Sequence, residues 1–110
     1  MKITEVTSVE QARNLCEGES PLTGVIFKHS PRCSISRIAW DRFTRYEEVL
    51  PHDFPVYVVN VLDARDASQY FAGHFSIEHA SPQVLLVRNN ACTYHESHNG
   101  IDPRVIAEQL

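Results

Sequence analysis

Apolar residues return along this chain at two different spacings, and the switches between them mark its elements. From Ser8 to Glu17 (SVEQARNLCE), Val9, Ala12, Leu15 and Cys16 recur at helical steps behind a serine suited to N-capping, which predicts a first helix. GESP then breaks the chain, and TGVIFKH at 23–29, β-branched and aromatic, predicts a short buried strand. From Ser34 the steps are three and four. Ile35, Ile38, Ala39, Phe43 and Tyr46 make one apolar stripe, with Arg37, Asp41 and Arg45 on the other side, in a helix expected to last until Pro51. FPVYVVNVL at 54–62 is apolar without alternation, the pattern of an inner strand covered on both faces. ARDASQYFAGHF (64–75) predicts a helix ending around Gly73. VLLVR (84–88), the Asn89–Asn90 turn and ACTYH (91–95) predict a hairpin. Asp102 as N-cap and Pro103 at the first helical position open a last helix through Leu110. The order α-β-α-β-α-β-β-α predicts an α/β fold with a central mixed β-sheet flanked by helices on both faces.

Composition narrows the picture without changing it. A length of 110 residues suits a single domain over 1–110, and 43% hydrophobic with 22% charged residues is an ordinary globular balance. The net charge of -4 gives no overall basic field, so no nucleic-acid partner is expected. The start, MKITEVTSVEQAR, has no apolar leader core, and no apolar run approaches membrane-spanning length. A soluble cytoplasmic protein without a membrane partner is the expectation. Three cysteines without regular spacing argue against a secreted disulfide framework and fit a reducing compartment.

The chemistry concentrates in FKHSPRCSIS, residues 27–36. Cys33 falls where a strand ends and a helix begins. There the first amide N–H groups lack intrahelical partners and the helix dipole is positive. Lys28, His29 and Arg32 are expected to add positive charge, and together these features favour the thiolate, the species that attacks a disulfide. The polar neighbours Arg32 and Ser34 argue against an inert buried cysteine. Ser36 stands where a dithiol oxidoreductase would carry its second thiol, so any mixed disulfide formed at Cys33 needs another thiol to resolve it. Cys16 lies at the far end of the strand that leads to Cys33, and Cys92 lies near the hairpin turn. About five strand residues at ~3.3 Å each separate Cys92 from Ser81–Pro82, well beyond disulfide reach. The predicted chemistry is monothiol.

Ser81-Pro82-Gln83 precedes a strand, at a position where proline is tolerated and its peptide bond is open to either isomer. With FKHSPRCSIS, the strings RDAS (65–68), IEHASPQVLLV (77–87) and SHNGI (97–101) give the chain a likeness that runs over nearly its whole length. It resembles the monothiol bacilliredoxins of the bacillithiol system, within the thioredoxin-like superfamily. The resemblance implies a thioredoxin-like fold, Cys33 as nucleophile, and Ser81–Pro82 as a cis-proline element beside it. It implies a thiol-disulfide oxidoreductase that removes bacillithiol from S-thiolated client proteins, with no resident cofactor, bacillithiol as co-substrate, and a thiol or reductase to recycle it. Ser34 departs from the commoner family string, which has proline there.

Other features carry less. His95 and His98 are the closest histidines, but no metal-binding spacing accompanies them, so no metal is expected. The segment Ser97-His98-Asn99-Gly100 is expected to emerge near the thiol. There Gly100 would permit close approach and the helix after Asp102 would offer N–H groups to carboxylates of a low-molecular-weight thiol. Ser81, Pro82, Gln83, His98 and Gly100 are therefore the expected substrate-binding residues. Trp40 is expected at the core edge, and Arg65 beside the site. The rival readings are a non-catalytic binding or redox-sensing module, or a glutaredoxin-like monothiol protein using a different small thiol.

Overall fold

The alternation of strands and helices is realised with one strand more than the pattern predicts. The computed structural model describes residues 1–110. Its elements are β1 (Lys2–Val6), α1 (Val9–Glu17), β2 (Gly24–His29), α2 (Ser34–Arg45), β3 (Pro55–Asn60), α3 (Arg65–Phe75), β4 (Gln83–Arg88), β5 (Ala91–Ser97) and α4 (Pro103–Ala107). Short 3-10 turns occupy Glu47–Val49 and His98–Gly100. The five strands form one mixed sheet in the order β1-β3-β2-β4-β5. β1, β3 and β2 are parallel, while β4 runs antiparallel to both β2 and β5. This is the thioredoxin-like arrangement.

The unpredicted element is β1. Four of its five residues are exposed and only Val6 is buried, so KITEV shows no apolar run. Charged, exposed residues are usual on an edge strand, where they discourage pairing with other chains. The hairpin turn is as expected: Asn89 and Asn90 both adopt positive φ, 51° and 70°, as a two-residue turn between twisted strands requires. A bulge at Thr93 separates the pairs Leu86–Tyr94 and Val87–Cys92, and β5 extends to Ser97. α3 passes through Gly73 and stops at Ser76 in the left-handed conformation, and α4 is shorter than predicted.

Two hydrophobic layers sandwich the sheet. One packs α1 and α3 (Ala12, Cys16, Ala67, Phe71) on Ile26, Val59 and Leu85. The other packs α2 and α4 (Ala39, Phe43, Ile106) on Phe27, Val56 and Leu86. The predicted face of α2 is corrected here. Its buried residues are Ser36, Ala39 and Phe43, whereas Ile35 and Ile38 are 51% and 61% exposed. Aromatic packing explains the rotation. Phe27 meets Trp40 and Phe43 edge-on or tilted at 4.9 and 5.3 Å, so α2 turns that side to the sheet.

The adjacent parallel strands β2 and β3 send their following helices to opposite faces of the sheet. Their carboxyl ends thus flank a topological switch point, where α/β sheets open a crevice.

Candidate active site

The chain leaves β2 at His29 and makes one turn before α2. The Cys33 N–H donates to the Ser30 carbonyl at 3.0 Å, and the Arg37 N–H closes the first helical turn on the Cys33 carbonyl at 3.0 Å. Cys33 is itself the N-cap, with extended φ and ψ of -96° and 124°, and its side chain makes no capping hydrogen bond. Serine, threonine or aspartate at this position usually accepts a first-turn N–H. Here a half-buried sulfur takes that place.

Ser36 anchors the turn from beneath. Its fully buried Oγ accepts the Ser30 N–H at 2.9 Å and lies 2.7 Å from His29 Nδ1. The His29 ring stacks on Trp40 with centroids 5.6 Å apart, and burial pushes its pKa below the ordinary value. Its imidazole is therefore neutral near pH 7, and Nδ1 and the Ser36 hydroxyl share one hydrogen bond. Ser36 replaces a second thiol with a structural hydrogen-bond hub.

The three basic neighbours expected around the thiol behave differently from one another. Lys28 is corrected: strand alternation points it to the opposite sheet face from α2, where it is fully buried and donates to His79 Nδ1 at 3.2 Å. His29 is neutral and adds no charge. Arg32 is exposed and forms none of the ion pairs of the fold. Of the sources of positive charge expected at Cys33, the helix N-terminus and the exposed Arg32 remain.

The Ser81–Pro82 peptide bond is cis. Lys28 pairs with Gln83, and continuing that register sets Pro82 level with His29, at the sheet end where Cys33 emerges. The Pro82 carbonyl accepts the His98 N–H at 3.0 Å, so the segment after β5 does arrive at this end. His98 and Gly100, expected as substrate-binding residues, lie on this segment. The open side of Gly100 faces the Glu96 side chain, and the Asp102 carboxylate already accepts the Arg104 N–H at 2.9 Å. The His98 carbonyl is held by Arg42 at 3.2 Å. The Arg42 and Arg104 guanidinium groups that border this loop are thus engaged by protein acceptors, Ile101 and His98 carbonyls for the first and the Asp102 carboxylate for the second.

Sequence reasoning overlooked His79 and Ser68. His79 Nδ1 lies 3.2 Å from Lys28 Nζ and 3.3 Å from Ser68 Oγ. Gln83, almost fully buried, donates to the Glu78 carbonyl at 3.0 Å, while its Oε1 and the Ser81 Oγ have no partner. The available signal was a histidine three residues before Pro82. Cys16 and Cys92 both pack in the α1–α3 layer, away from the α2 layer. Burial raises both thiols, Cys16 to about 11 with a contribution from Glu17. No helix is long and apolar enough to cross a membrane.

The family model described as monothiol bacilliredoxin BrxC matches residues 4–106. A solved structure described as a candidate oxidoreductase with a thioredoxin fold superposes with a TM-score of 0.78 at 28% identity, covering 96% of this chain and 93% of that one. Thioredoxin of Schistosoma mansoni superposes at 0.74 with 14% identity, covering 99% and 98%. Thioredoxin of Malassezia sympodialis superposes at 0.72 with 16% identity, covering 98% and 90%. At such identities the two thioredoxins speak for the fold alone.

Proposed function

The chain belongs to the monothiol bacilliredoxin family and is a thiol oxidoreductase of thioredoxin fold; from that premise we propose that Cys33 removes bacillithiol from S-thiolated client proteins in the cytoplasm. The Cys33 thiolate attacks the bacillithiol sulfur of the mixed disulfide. One S–S bond forms between Cys33 and bacillithiol, one breaks, and the electron pair leaves with the client's sulfur, which takes up a proton. No external oxidant or reductant enters this step. A second thiolate, from a small thiol or a reductase, then attacks the bacillithiol sulfur of the adduct; a new disulfide forms between that thiol and bacillithiol, the Cys33–bacillithiol S–S bond breaks, and the electron pair leaves with Cys33 as its thiolate.

The observation that supports this reading best is the position of Cys33 as the uncapped N-cap of α2, with Ser36 where an internal resolving thiol would sit. A thiolate there gains from the free first-turn amides. Exposed Ile35 and Ile38 beside it offer an apolar surface to a client. The test offers the protein mixed disulfides carrying bacillithiol, glutathione or coenzyme A and follows transfer to Cys33 by intact mass. Transfer fastest from the bacillithiol donor, and abolished in Cys33→Ser, is the expected result. Client binding that survives Cys33→Ser without any adduct would mark a non-catalytic module instead.

A further inference from the structure

Charge is spread unevenly over this chain, and one basic face lies beside the nucleophile. The buried side of α2 carries Ser36, Ala39 and Phe43. Its outer side forms a shallow groove of about 700 Å³, lined by Ser34, Arg37, Ile38, Asp41, Arg42 and Arg45. At about 3.6 residues per turn these six fall on one continuous face, with Arg37 and Arg42 at its two rims. The groove holds three arginines against one aspartate, in a chain of net charge -4. Ser34, at its upper end, directly follows Cys33, so the groove leads away from the reacting sulfur.

Only one of the three arginines has a counterion. Arg45 pairs with Asp41 at 2.7 Å, with both side chains well exposed. Arg37 donates to the Pro31 carbonyl at 3.2 Å, and Arg42 donates to the Ile101 and His98 carbonyls at 2.9 and 3.2 Å. Carbonyl acceptors fix a guanidinium in place without cancelling its charge, and neither side chain joins any of the ion pairs of the fold. A guanidinium has five N–H donors; Arg37 uses one and Arg42 two, which leaves most of each fork free for carboxylates. Apolar surface accompanies the charge. Ile38 in the groove is 61% exposed and Ile35 beside it is 51% exposed. A lone anion would leave those side chains in water, whereas a polypeptide covers them.

We infer that this groove docks an acidic segment of the S-thiolated client, next to the client's modified cysteine. Its length suits a polypeptide. Ser34 to Arg45 spans about 16 Å at ~1.5 Å per residue, the reach of about five extended residues at ~3.3 Å each. Measured from Cys33 along the helix, Arg37 lies about 6 Å away and Arg42 about 13 Å away. Those spacings match residues two and four positions from the client's cysteine, which strand alternation turns to the same side. Carboxylates at both positions meet Arg37 and Arg42, while the chain between them covers Ile38. The inference rests on the exchange proposed at Cys33 and deepens it by naming the class of client served.

The probes are short peptides with one cysteine, each carrying the same small thiol as a mixed disulfide. They bear Glu or Gln two and four residues from the cysteine, on its amino side in one set and its carboxyl side in the other. The second-order rate of small-thiol transfer to Cys33 is read by intact mass at low and high salt. In at least one set the Glu peptide should react about fivefold faster than its Gln twin at low salt, in line with two exposed ion pairs. The ratio should approach one at roughly 0.5 M salt, where exposed charges are screened. Arg37→Gln should reduce it to about twofold by acting on the Glu two residues away, and Arg42→Gln by acting on the Glu four residues away. Arg37 is exposed, so Arg37→Gln keeps the test valid if Arg42→Gln does not fold. A ratio of one in both sets, or one that Arg37→Gln does not move, overturns the groove even where Cys33 exchanges normally. Binding apart from chemistry is read by fluorescence anisotropy of labelled reduced peptides on Cys33→Ser. Glu-selective, Arg37-dependent binding there, with no transfer in wild type, upholds the groove and overturns the exchange. Dimers in sedimentation velocity that Arg37→Gln disperses give the groove to a second copy of the chain and overturn the proposal.

Discussion

Replacing Ser36 by cysteine should change the outcome at Cys33 and not merely its rate. The Ser36 hydroxyl accepts the Ser30 N–H at 2.9 Å in a fully buried position, and sulfur is a weak acceptor. The substitution should therefore cost about 1 kcal/mol, or ~4 °C in Tm for a domain of this size. The introduced thiol lies one turn from Cys33 on α2. Positions three apart on a helix bring their Cβ atoms within about 5–6 Å. A disulfide uses a Cβ spacing of ~3.5–4.5 Å, so a shift of about 1–2 Å at the helix start closes the bond. In the natural protein a small-thiol adduct at Cys33 has no internal competitor and should persist. In the variant the introduced thiolate attacks the Cys33 sulfur, an internal disulfide forms, and the small thiol is expelled. The assay is intact-mass analysis after exposure to a protein mixed disulfide with no recycling thiol present. Equal accumulation of the adduct on both proteins would refute the placement of residue 36 beside the nucleophile.

Cys16→Ser and Cys92→Ser, alone or together, should leave exchange within about twofold of wild type, since burial keeps both thiols protonated and they pack in the other layer; an internal disulfide from Cys33 to either, found by peptide mapping, would contradict this. Lys28→Met should be more stable than wild type at pH 7, because the unfolded lysine titrates near 10.5 and the folded one near 8. The unfolded chain then holds more protons between those values, so wild type gains stability as pH rises through them and the gap should narrow. Denaturant melts from pH 7 to 10 would show this, and a gap independent of pH would sink the argument. Asn90→Ala should destabilise by about 1–2 kcal/mol, because the Asn90 Oδ1 accepts the Leu22 N–H at 2.7 Å and alanine tolerates its φ of 70° poorly; a denaturant midpoint equal to wild type would count against it.

The sequence alone determined the order of elements from α1 to α4, the mixed sheet between two helical layers, Cys33 at a helix start, and the absence of a partner thiol at Ser36. Those follow from local signals: apolar period, caps, turn residues and the identity of a single side chain. Tertiary structure decided which way each side chain faces. β2 is buried on both sides, so GVIFKH carries no alternation to reveal that Phe27 lies under α2 while Lys28 faces α3. The stripe on α2 contained Ala39 and Phe43 on one side and Ile35 and Ile38 on another. Packing of Phe27 against Trp40 chose between them, leaving the two isoleucines exposed. β1 stayed hidden because an edge strand need bury only one residue. His79 and Ser68 meet Lys28 only because β2 lies beside β4 and α3 crosses that face of the sheet. Pairing between strands distant in sequence creates such clusters, and a one-dimensional pattern holds no record of them.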